Sequence, residues 1–303
     1  MNLFFHQAAL GDFVLTFPIL RSLAALPGQL IVVAPWSKAV LAQTTLPDTR
    51  SMDIELWEFI RLHSESGPTH ISPAVNELFT GARRIISFLS NGNDTWSTNV
   101  KRLSPRAQRL FVYPRPPQDF TGHVVDWHDL QLREQGLELC TAPICTSGHS
   151  NGPVVIHPGS GGLPKCWAID RFETLIEQLR AQGQNIQPIL GEVEVENWSK
   201  QTLQRWQTHH GAKVPSTTLQ LLELLHSASA FIGVDSGPTH LAAQIGTPTL
   251  TLFGPTDPAR WAPIGPRVQI LAPPDPCSMD WLAVDQVLES ITQLKQGHVD
   301  IVD

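Results

Sequence analysis

The residues best suited to chemistry form one run in the second half of the chain, Phe231 to Ala243, with the sequence FIGVDSGPTHLAA. Its apolar beginning predicts a buried β-strand from Ala230 to Val234. Gly237-Pro238 predicts a helix start, because a proline in the first turn of a helix loses no hydrogen bond. Ligands of parallel α/β sheets bind beyond the carboxyl ends of the strands, where a helix N-terminus offers unpaired N–H groups to an anion. The run therefore predicts a phosphate site.

The same run has a purely structural alternative. Asp235 or Ser236 could serve only as the helix cap, and His240 could be a buried histidine with a packing role. The sequence of this run alone leaves both interpretations open.

A second loop in the same half favours the phosphate site. It reads HPGSGGLPK from His157 to Lys165 and follows a predicted strand. Its glycines let backbone amides approach an anion closely, and Lys165 supplies a positive charge for a diphosphate. The loop lacks the Gly-Lys-Ser/Thr ending of a Walker loop and the GxGxxG pattern of a dinucleotide site. A surface turn with a solvated lysine is the alternative.

Two carboxylates complete the candidate set. Glu194 lies in the sequence GEVEVE after the next predicted strand, where an acidic residue can accept the hydroxyl groups of a ribose. Asp12 lies at the first strand-to-helix turn of the chain and could act as general base toward a hydroxyl group, if the two halves face each other across a cleft. The alternatives are an acidic helix start for Glu194 and a helix cap for Asp12.

Length, charge and the absence of several known motifs exclude a number of function classes. A length of 303 residues predicts about two domains, and a net charge of -7 argues against a nucleic-acid partner. The histidines and the four cysteines show no metal-binding spacing, so we expect neither a metal site nor a cofactor. There is no G-x-S-x-G motif of an α/β hydrolase. Without a basic signal region or an apolar run of about 20 residues, the chain is expected in the cytoplasm.

Short apolar runs alternate with helical periodicity, which is typical of βαβ units and of the α/β class. A segment of linker composition, Thr141 to Gly152, places a domain boundary near residue 150, giving domains 1–150 and 151–303. The last helix could pack back on the N-terminal domain. The predicted strands are Asn2 to His6, Gln29 to Ala34, Arg84 to Leu89, Leu110 to Tyr113, Val154 to His157, Ile186 to Leu190, Ala230 to Val234 and Thr249 to Phe253. The predicted helices are Phe13 to Leu26, His123 to Leu139, Ile169 to Gln182, Glu194 to Gln207, Leu219 to Ser227, Gly237 to Ile245 and Val284 to Leu294.

With these segments in place, the chain resembles glycosyltransferase family 9, the ADP-heptose:lipopolysaccharide heptosyltransferases. The likeness extends over nearly the whole chain. It is carried by Leu10 to Pro18, by His157 to Ser160 with Lys165-Cys166-Trp167, by Gly191 to Glu196 with Trp198, and by Gly233 to Ala242 with Phe253 to Thr256.

The resemblance implies a GT-B fold, in which two Rossmann-like doubly wound domains face each other across a cleft. It implies inverting transfer of a sugar, with heptose as the expected one, from a nucleotide diphosphate in the C-terminal domain to a lipopolysaccharide-core or related glycan acceptor. Asp12 would be the base and Lys165 would stabilise the leaving diphosphate. Ser160 and the amides of Ser236, Gly237 and Thr239 would hold the phosphates, Glu194 the ribose, and Asp235 and His240 the sugar or phosphate oxygens.

Two other function classes stay open at this stage. A nucleotide-sugar epimerase on the same scaffold would act without a second substrate, and a nucleotide- or sugar-binding protein would keep the fold without catalysis. A glycolipid acceptor would add a transient contact with the inner membrane surface, which would make the protein peripheral there.

Overall fold

The computed structural model describes residues 1–46, 48–67, 70–138 and 151–296. The chain divides into two compact units, Met1–Ala142 and Pro143–Asp303. Most of the segment that predicts a linker, Thr141 to Gly152, lies outside the described residues. Each unit carries a five-stranded parallel sheet with helices between the strands, which confirms the α/β class.

The N-terminal unit contains a sheet in the strand order β3-β2-β1-β4-β5. Its strands are β1 (Asn2–Phe5), β2 (Leu30–Ala34), β3 (Thr49–Asp53), β4 (Arg84–Ser87) and β5 (Gln108–Phe111). Its α-helices are α1 (Leu10–Val14), α2 (Phe17–Ala25), α3 (Trp36–Thr45), α4 (Trp57–Ile60), α5 (Pro73–Thr80), α6 (Thr95–Leu103) and α7 (Val124–Glu134), with a 3-10 turn at Arg61–His63.

The C-terminal unit contains a sheet in the order β10-β9-β8-β6-β7. Its strands are β6 (Val154–His157), β7 (Ile186–Pro188), β8 (Ala230–Val234), β9 (Thr249–Leu252) and β10 (Val268–Leu271). Its α-helices are α8 (Ile169–Ala181), α9 (Glu192–Asn197), α10 (Lys200–Thr208), α11 (Thr218–His226), α12 (Gly237–Gln244), α13 (Pro258–Trp261) and α14 (Val284–Lys295), with 3-10 turns at Leu163–Lys165 and Met279–Trp281.

Both sheets are doubly wound, and in each the strand order reverses direction at one place. In the N-terminal unit this switch point lies between β1 and β4, and in the C-terminal unit it lies between β6 and β8. The connections of the two neighbouring strands leave in opposite directions there, so a crevice opens at the carboxyl edge of the sheet. The topology thus predicts that a ligand of the C-terminal unit binds at the loops that follow β6 and β8.

Each unit has its own hydrophobic core, built from the strands and from one apolar stripe on each helix. In α8 the stripe consists of Phe172, Leu175, Ile176 and Leu179, which are all buried. This i, i+3, i+4, i+7 spacing places all four side chains on the face toward the sheet. The final helix, α14, packs on α8 and on β9 of its own unit.

The structure corrects two predicted helices, each of which is split in two. Phe13 to Leu26 is divided because α1 ends at Val14, and α2 starts afresh with Pro18 in its first turn. Glu194 to Gln207 is divided because Trp198 has an extended backbone conformation, and the Ser199 hydroxyl group then caps α10. In both cases the apolar periodicity continues across the break, so the pattern alone did not reveal it.

The sequence missed some elements that lack a buried apolar run. Helix α6 lies in a polar stretch, and it is fixed by a reciprocal cap between Asp94 and Ser97 together with the buried Trp96 and Val100. Strands β3 and β10 are edge strands whose side chains are only partly buried, so their sequences lack the apolar run of the central strands. Among the described residues, no helix combines the length and apolar character needed to span a bilayer.

Two buried histidines lie at the carboxyl edge of the N-terminal sheet. His6 packs against Phe4, Phe13 and Phe88, and His128 contacts the same Phe88 ring. Burial, with smaller contributions from the charges of Lys38 and His128, lowers the pKa of His6 to about 3. Burial likewise lowers the pKa of His128 to about 4. Both rings are therefore neutral in the folded protein near pH 7.

These histidines predict a loss of stability in mild acid. The unfolded chain takes up a proton at each histidine below pH 6.5, whereas the folded chain does so only near pH 3 or 4. Each ring therefore lowers the free energy of unfolding by about 1.4 kcal/mol per pH unit below 6.5. We expect His6→Phe to reduce this slope in urea unfolding measured between pH 7.5 and 5, and the exposed-site control His63→Phe to leave it unchanged. An unchanged slope in His6→Phe would contradict the assignment.

Candidate functional site

The centre of the candidate site is the carboxylate of Asp235, immediately after β8. One of its oxygens, Oδ2, accepts hydrogen bonds from Lys165 Nζ at 2.7 Å and from Thr256 Oγ1 at 3.0 Å. The other, Oδ1, lies 3.4 Å from Nε2 of His240 on α12. Asp235 is 6% exposed. One buried carboxylate thus connects the loop after β6, the loop after β9 and the first helical turns after β8.

The surroundings keep this carboxylate ionised. Burial alone would raise the pKa of Asp235, but the hydrogen bonds from His240 and Lys165, and then their charges, hold its pKa below the ordinary value. An aspartate with a lowered pKa stabilises the fold above its unfolded pKa, and this contribution is lost as the pH falls through the folded value. Asp235 is therefore a negative charge near pH 7, and it fixes the position of the Lys165 ammonium group.

Ser160 joins the same two loops through the backbone. Its hydroxyl group donates to the carbonyl oxygen of Asp235 at 2.8 Å and receives a long contact of 3.5 Å from the Gly162 amide. The Ser160 side chain is therefore already engaged between the loops. Lys165 has a side chain that is 32% exposed, so its ammonium group is accessible to an anion while paired with Asp235. The alternative of a fully solvated lysine does not describe this loop.

Helix α12 begins next to these groups, with Ser236 at the N-cap position and no side-chain cap on its first turn. The hydroxyl group of Ser236 instead lies 2.9 Å from Thr239 Oγ1, which donates to the Val234 carbonyl at 2.5 Å. Neither Asp235 nor Ser236 therefore serves as the side-chain cap that the alternative interpretation required. The N–H groups of the first turn have no side-chain acceptor, which is the arrangement that binds anions at helix N-termini.

Glu194 is linked to the same place through His157, the last residue of β6. Its Oε2 atom accepts from the Gly191 amide at 2.5 Å and lies 3.3 Å from His157 Nε2. The other ring nitrogen, Nδ1, lies 3.4 Å from Ser236 Oγ. Glu194 is 1% exposed. The structure buries this carboxylate against the loop that follows β6. The contact of Glu194 with a ribose stays a prediction.

Burial alone would raise the pKa of Glu194, but the hydrogen bond and charge of His157 and the amides of Gly191 and Glu194 lower it overall. The carboxylate also explains one glycine of the loop. A Cβ atom added to Gly159 would lie 1.3 Å from Glu194 Oε1, so no larger residue fits while Glu194 is in place. Gly161, two residues later, has open space around it.

Asp12 lies in the N-terminal unit, on the first turn of α1 after β1. Its side chain is partly exposed and does not cap the helix. The described residues offer this carboxylate no hydrogen bond or ion pair, which leaves it available to a ligand. Its predicted role as a base rests on the sequence and on this availability.

The structure thus brings together Lys165, Ser160, Asp235, Ser236, Gly237, Thr239 and His240 at the switch point of the C-terminal sheet, with Glu194 joined to them through His157. Sequence reasoning missed His157 and Thr256 as parts of the site. The signal for His157 was its position as the polar end of an otherwise apolar strand. Within ranges 1–46, 48–67, 70–138 and 151–296, no group of three or more His, Cys, Asp or Glu side chains could hold a metal ion.

The sequence from residue 94 to 287, well over half of the chain, matches the model of glycosyltransferase family 9 (heptosyltransferase). This chain belongs to glycosyltransferase family 9. The matched part includes all the residues of the C-terminal site described above, whereas Asp12 lies before it.

Curated relatives agree with the family. Lipopolysaccharide heptosyltransferase 3 of Escherichia coli is 31% identical over 125 residues, which cover 39% of this chain and 35% of the relative. The same enzyme from E. coli strain K12 is 34% identical over 118 residues, covering 36% and 33%. The chain spans about a third of the length of these two relatives.

Solved structures show the fold. E. coli ADP-heptose lps heptosyltransferase II has a TM-score of 0.73 at 17% identity, covering 98% of this chain and 99% of that one. E. coli heptosyltransferase WaaC with ADP has a TM-score of 0.70 at 17% identity, covering 97% and 99%. This chain therefore has the GT-B fold, as its resemblance to family 9 implies.

The close approach of Glu194 to Gly159 predicts that a side chain at position 159 destabilises the protein. Gly159→Ala should lower the free energy of unfolding by about 1–3 kcal/mol, as overpacking of a buried site does. Gly161→Ala is the matched control, because its new methyl group meets no atom within 4 Å. Thermal and urea unfolding of the two variants would measure the difference. Equal stability of both would show that the packing of Glu194 against Gly159 is not a constraint on the loop.

Proposed function

We propose that this chain is an inverting glycosyltransferase that moves a heptose from an ADP-heptose-like donor to a lipopolysaccharide-core or related glycan acceptor. Family membership supports the reaction class, and the names of the relatives support the donor and the acceptor pathway. The observation that carries the proposal is the Lys165–Asp235 pair, which joins two anion-suited loops at the switch point of the C-terminal sheet.

The C-terminal site suits the diphosphate of the donor. The partly exposed Lys165 ammonium group supplies a full positive charge, and the first turn of α12 supplies N–H groups from Ser236, Gly237 and Thr239. Because both are held in place by Asp235 and by the helix itself, they need little rearrangement when charge develops on the leaving nucleotide. Preorganised charge of this kind is a large part of catalysis in many enzymes. We propose that this chemistry uses no metal ion and no cofactor.

Asp12 is the proposed base. In the reaction its carboxylate takes the proton of an acceptor hydroxyl group while that oxygen forms a bond to the anomeric carbon of the donor. The bond from the anomeric carbon to the diphosphate oxygen breaks on the opposite face, and the electron pair leaves with ADP. This in-line displacement inverts the anomeric configuration. An acceptor that is a glycolipid would bring the protein into transient contact with the inner membrane surface, from the cytoplasmic side.

The test is a product analysis with an Asp12 variant. Purified protein with ADP-heptose and a lipid A–Kdo acceptor should release ADP only when the acceptor is present. Asp12→Asn should lower turnover by about a hundredfold or more with little change in donor affinity, because general bases contribute about that much. Asp119→Asn, at an exposed position of the same unit, is the control.

Each outcome is distinguishable. Formation of an epimerised donor in the absence of acceptor would show that the protein is an epimerase and not a transferase. Tight ADP-heptose binding without turnover by the parent protein would indicate a binding protein. Equal turnover by Asp12→Asn and parent would remove Asp12 from the mechanism.

A further inference from the structure

The turn that leads into the helix of Asp12 has no side-chain cap of its own. It comprises residues 6–9, with the sequence HQAA, and it joins β1 to α1. Ala8 and Ala9 carry no polar side-chain atoms, and Ala9 is an N-cap residue without a side-chain hydrogen bond. Helix α1 has five residues, and a helix of this length is not stable by itself in water. The position of the Asp12 carboxylate therefore depends on contacts that fix this turn from outside.

One such contact comes from Lys38 on α3. Its Nζ atom donates a hydrogen bond to the carbonyl oxygen of Ala8 at 2.5 Å, across 30 residues of sequence. The direction of this bond is unambiguous, because a carbonyl oxygen only accepts and a lysine ammonium group only donates. Burial is the main cause of the lowered pKa of His6, and the charge of Lys38 is the second cause, which also places the ammonium group beside this turn.

The N-terminal sheet explains why Lys38 reaches the turn. Strands β1 and β2 are parallel neighbours, with Phe5 opposite Val33, so the turns that follow the two strands begin side by side. Lys38 lies in the first turn of α3, where its amide donates to the carbonyl oxygen of Pro35, the N-cap residue. Helix α3 itself packs on β2 and β3. A residue on a packed helix thereby anchors a turn that has no cap.

We propose that Lys38 is a positioning residue, which holds the turn before α1 through the Ala8 carbonyl group and thereby fixes the Asp12 carboxylate for its reaction. The inference rests on the proposed function in one respect, namely that Asp12 is the base. A general base acts only within hydrogen-bond reach of the proton that it removes, and a displacement of about 1 Å can cost about a hundredfold in rate. Because the proposed donor residues belong to the C-terminal unit, loss of Lys38 lowers turnover and leaves donor affinity intact.

The hold on the turn is measured without any substrate. Hydrogen–deuterium exchange of the full-length protein reports the opening of α1 through amides such as that of Phe13, which donates to the Ala9 carbonyl oxygen. Lys38→Met keeps the length of the side chain but cannot donate, so we expect exchange about tenfold faster in this segment. Lys101→Met, at an exposed position of α6, is the control and should match the parent. Equal protection in Lys38→Met and in the parent would overturn the proposal.

The effect on the reaction is measured by transfer kinetics with ADP-heptose and the lipid A–Kdo acceptor, and by calorimetry with ADP. Lys38→Met should lower kcat about tenfold or more and change ADP affinity by less than about twofold. Lys38→Arg still offers a donor to the carbonyl oxygen and should recover most of the lost turnover. An unchanged kcat in Lys38→Met, or an equal loss in Lys38→Arg, would overturn the proposal.

A double variant tests whether Lys38 acts through Asp12. In the Asp12→Asn background, which lacks the base, Lys38→Met should change the residual turnover by less than about twofold, because residues that act as one unit are not additive. A further tenfold loss in that background would show that Lys38 acts independently of Asp12 and would overturn the proposal. If Asp12→Asn kept the turnover of the parent, the proposed function would lose its base, while hydrogen exchange would still decide whether Lys38 holds the turn.

Discussion

The arrangement of the candidate site depends on one buried charge, the carboxylate of Asp235. A buried carboxylate is costly unless it is paired and hydrogen-bonded, and here the compensation comes from Lys165, His240 and Thr256. These partners lie on three different segments, so satisfying one carboxylate brings the three segments together. The ammonium group, the helix start and the loop after β9 are thereby held in one geometry before any ligand arrives.

The topology explains why these segments are within reach of one another. The two units wind their strands in different orders, but in each the order reverses once, beside the first strand of the unit. Strands β6 and β8 are paired neighbours at the reversal in the C-terminal unit, with His157 opposite Gly233, so the loops that follow the two strands begin side by side. In the N-terminal unit the turn that carries Asp12 follows β1 at the equivalent place.

The sequence allowed the α/β class, the family, most central strands and the two phosphate-suited loops to be predicted, because these depend on local patterns. Apolar runs show buried strands, and glycine-rich turns before helices show where an anion fits. It did not reveal contacts between residues far apart in the chain. The Lys165–Asp235 pair joins positions 70 residues apart, and the packing of Glu194 on Gly159 depends on how α9 lies against the loop. The helix break at Trp198 was missed because the apolar periodicity continues through it.

The paired loops of the C-terminal unit form, as we propose, a diphosphate site whose charge is supplied by Lys165. The most direct measurement is calorimetric titration of the full-length protein with ADP and with adenosine, repeated for Lys165→Ala and for the exposed control Lys200→Ala. We expect the parent and the control to prefer ADP to adenosine, and Lys165→Ala to lose about tenfold or more of that preference. An equal preference for ADP in Lys165→Ala and in the parent would show that Lys165 does not supply the charge that binds the phosphates.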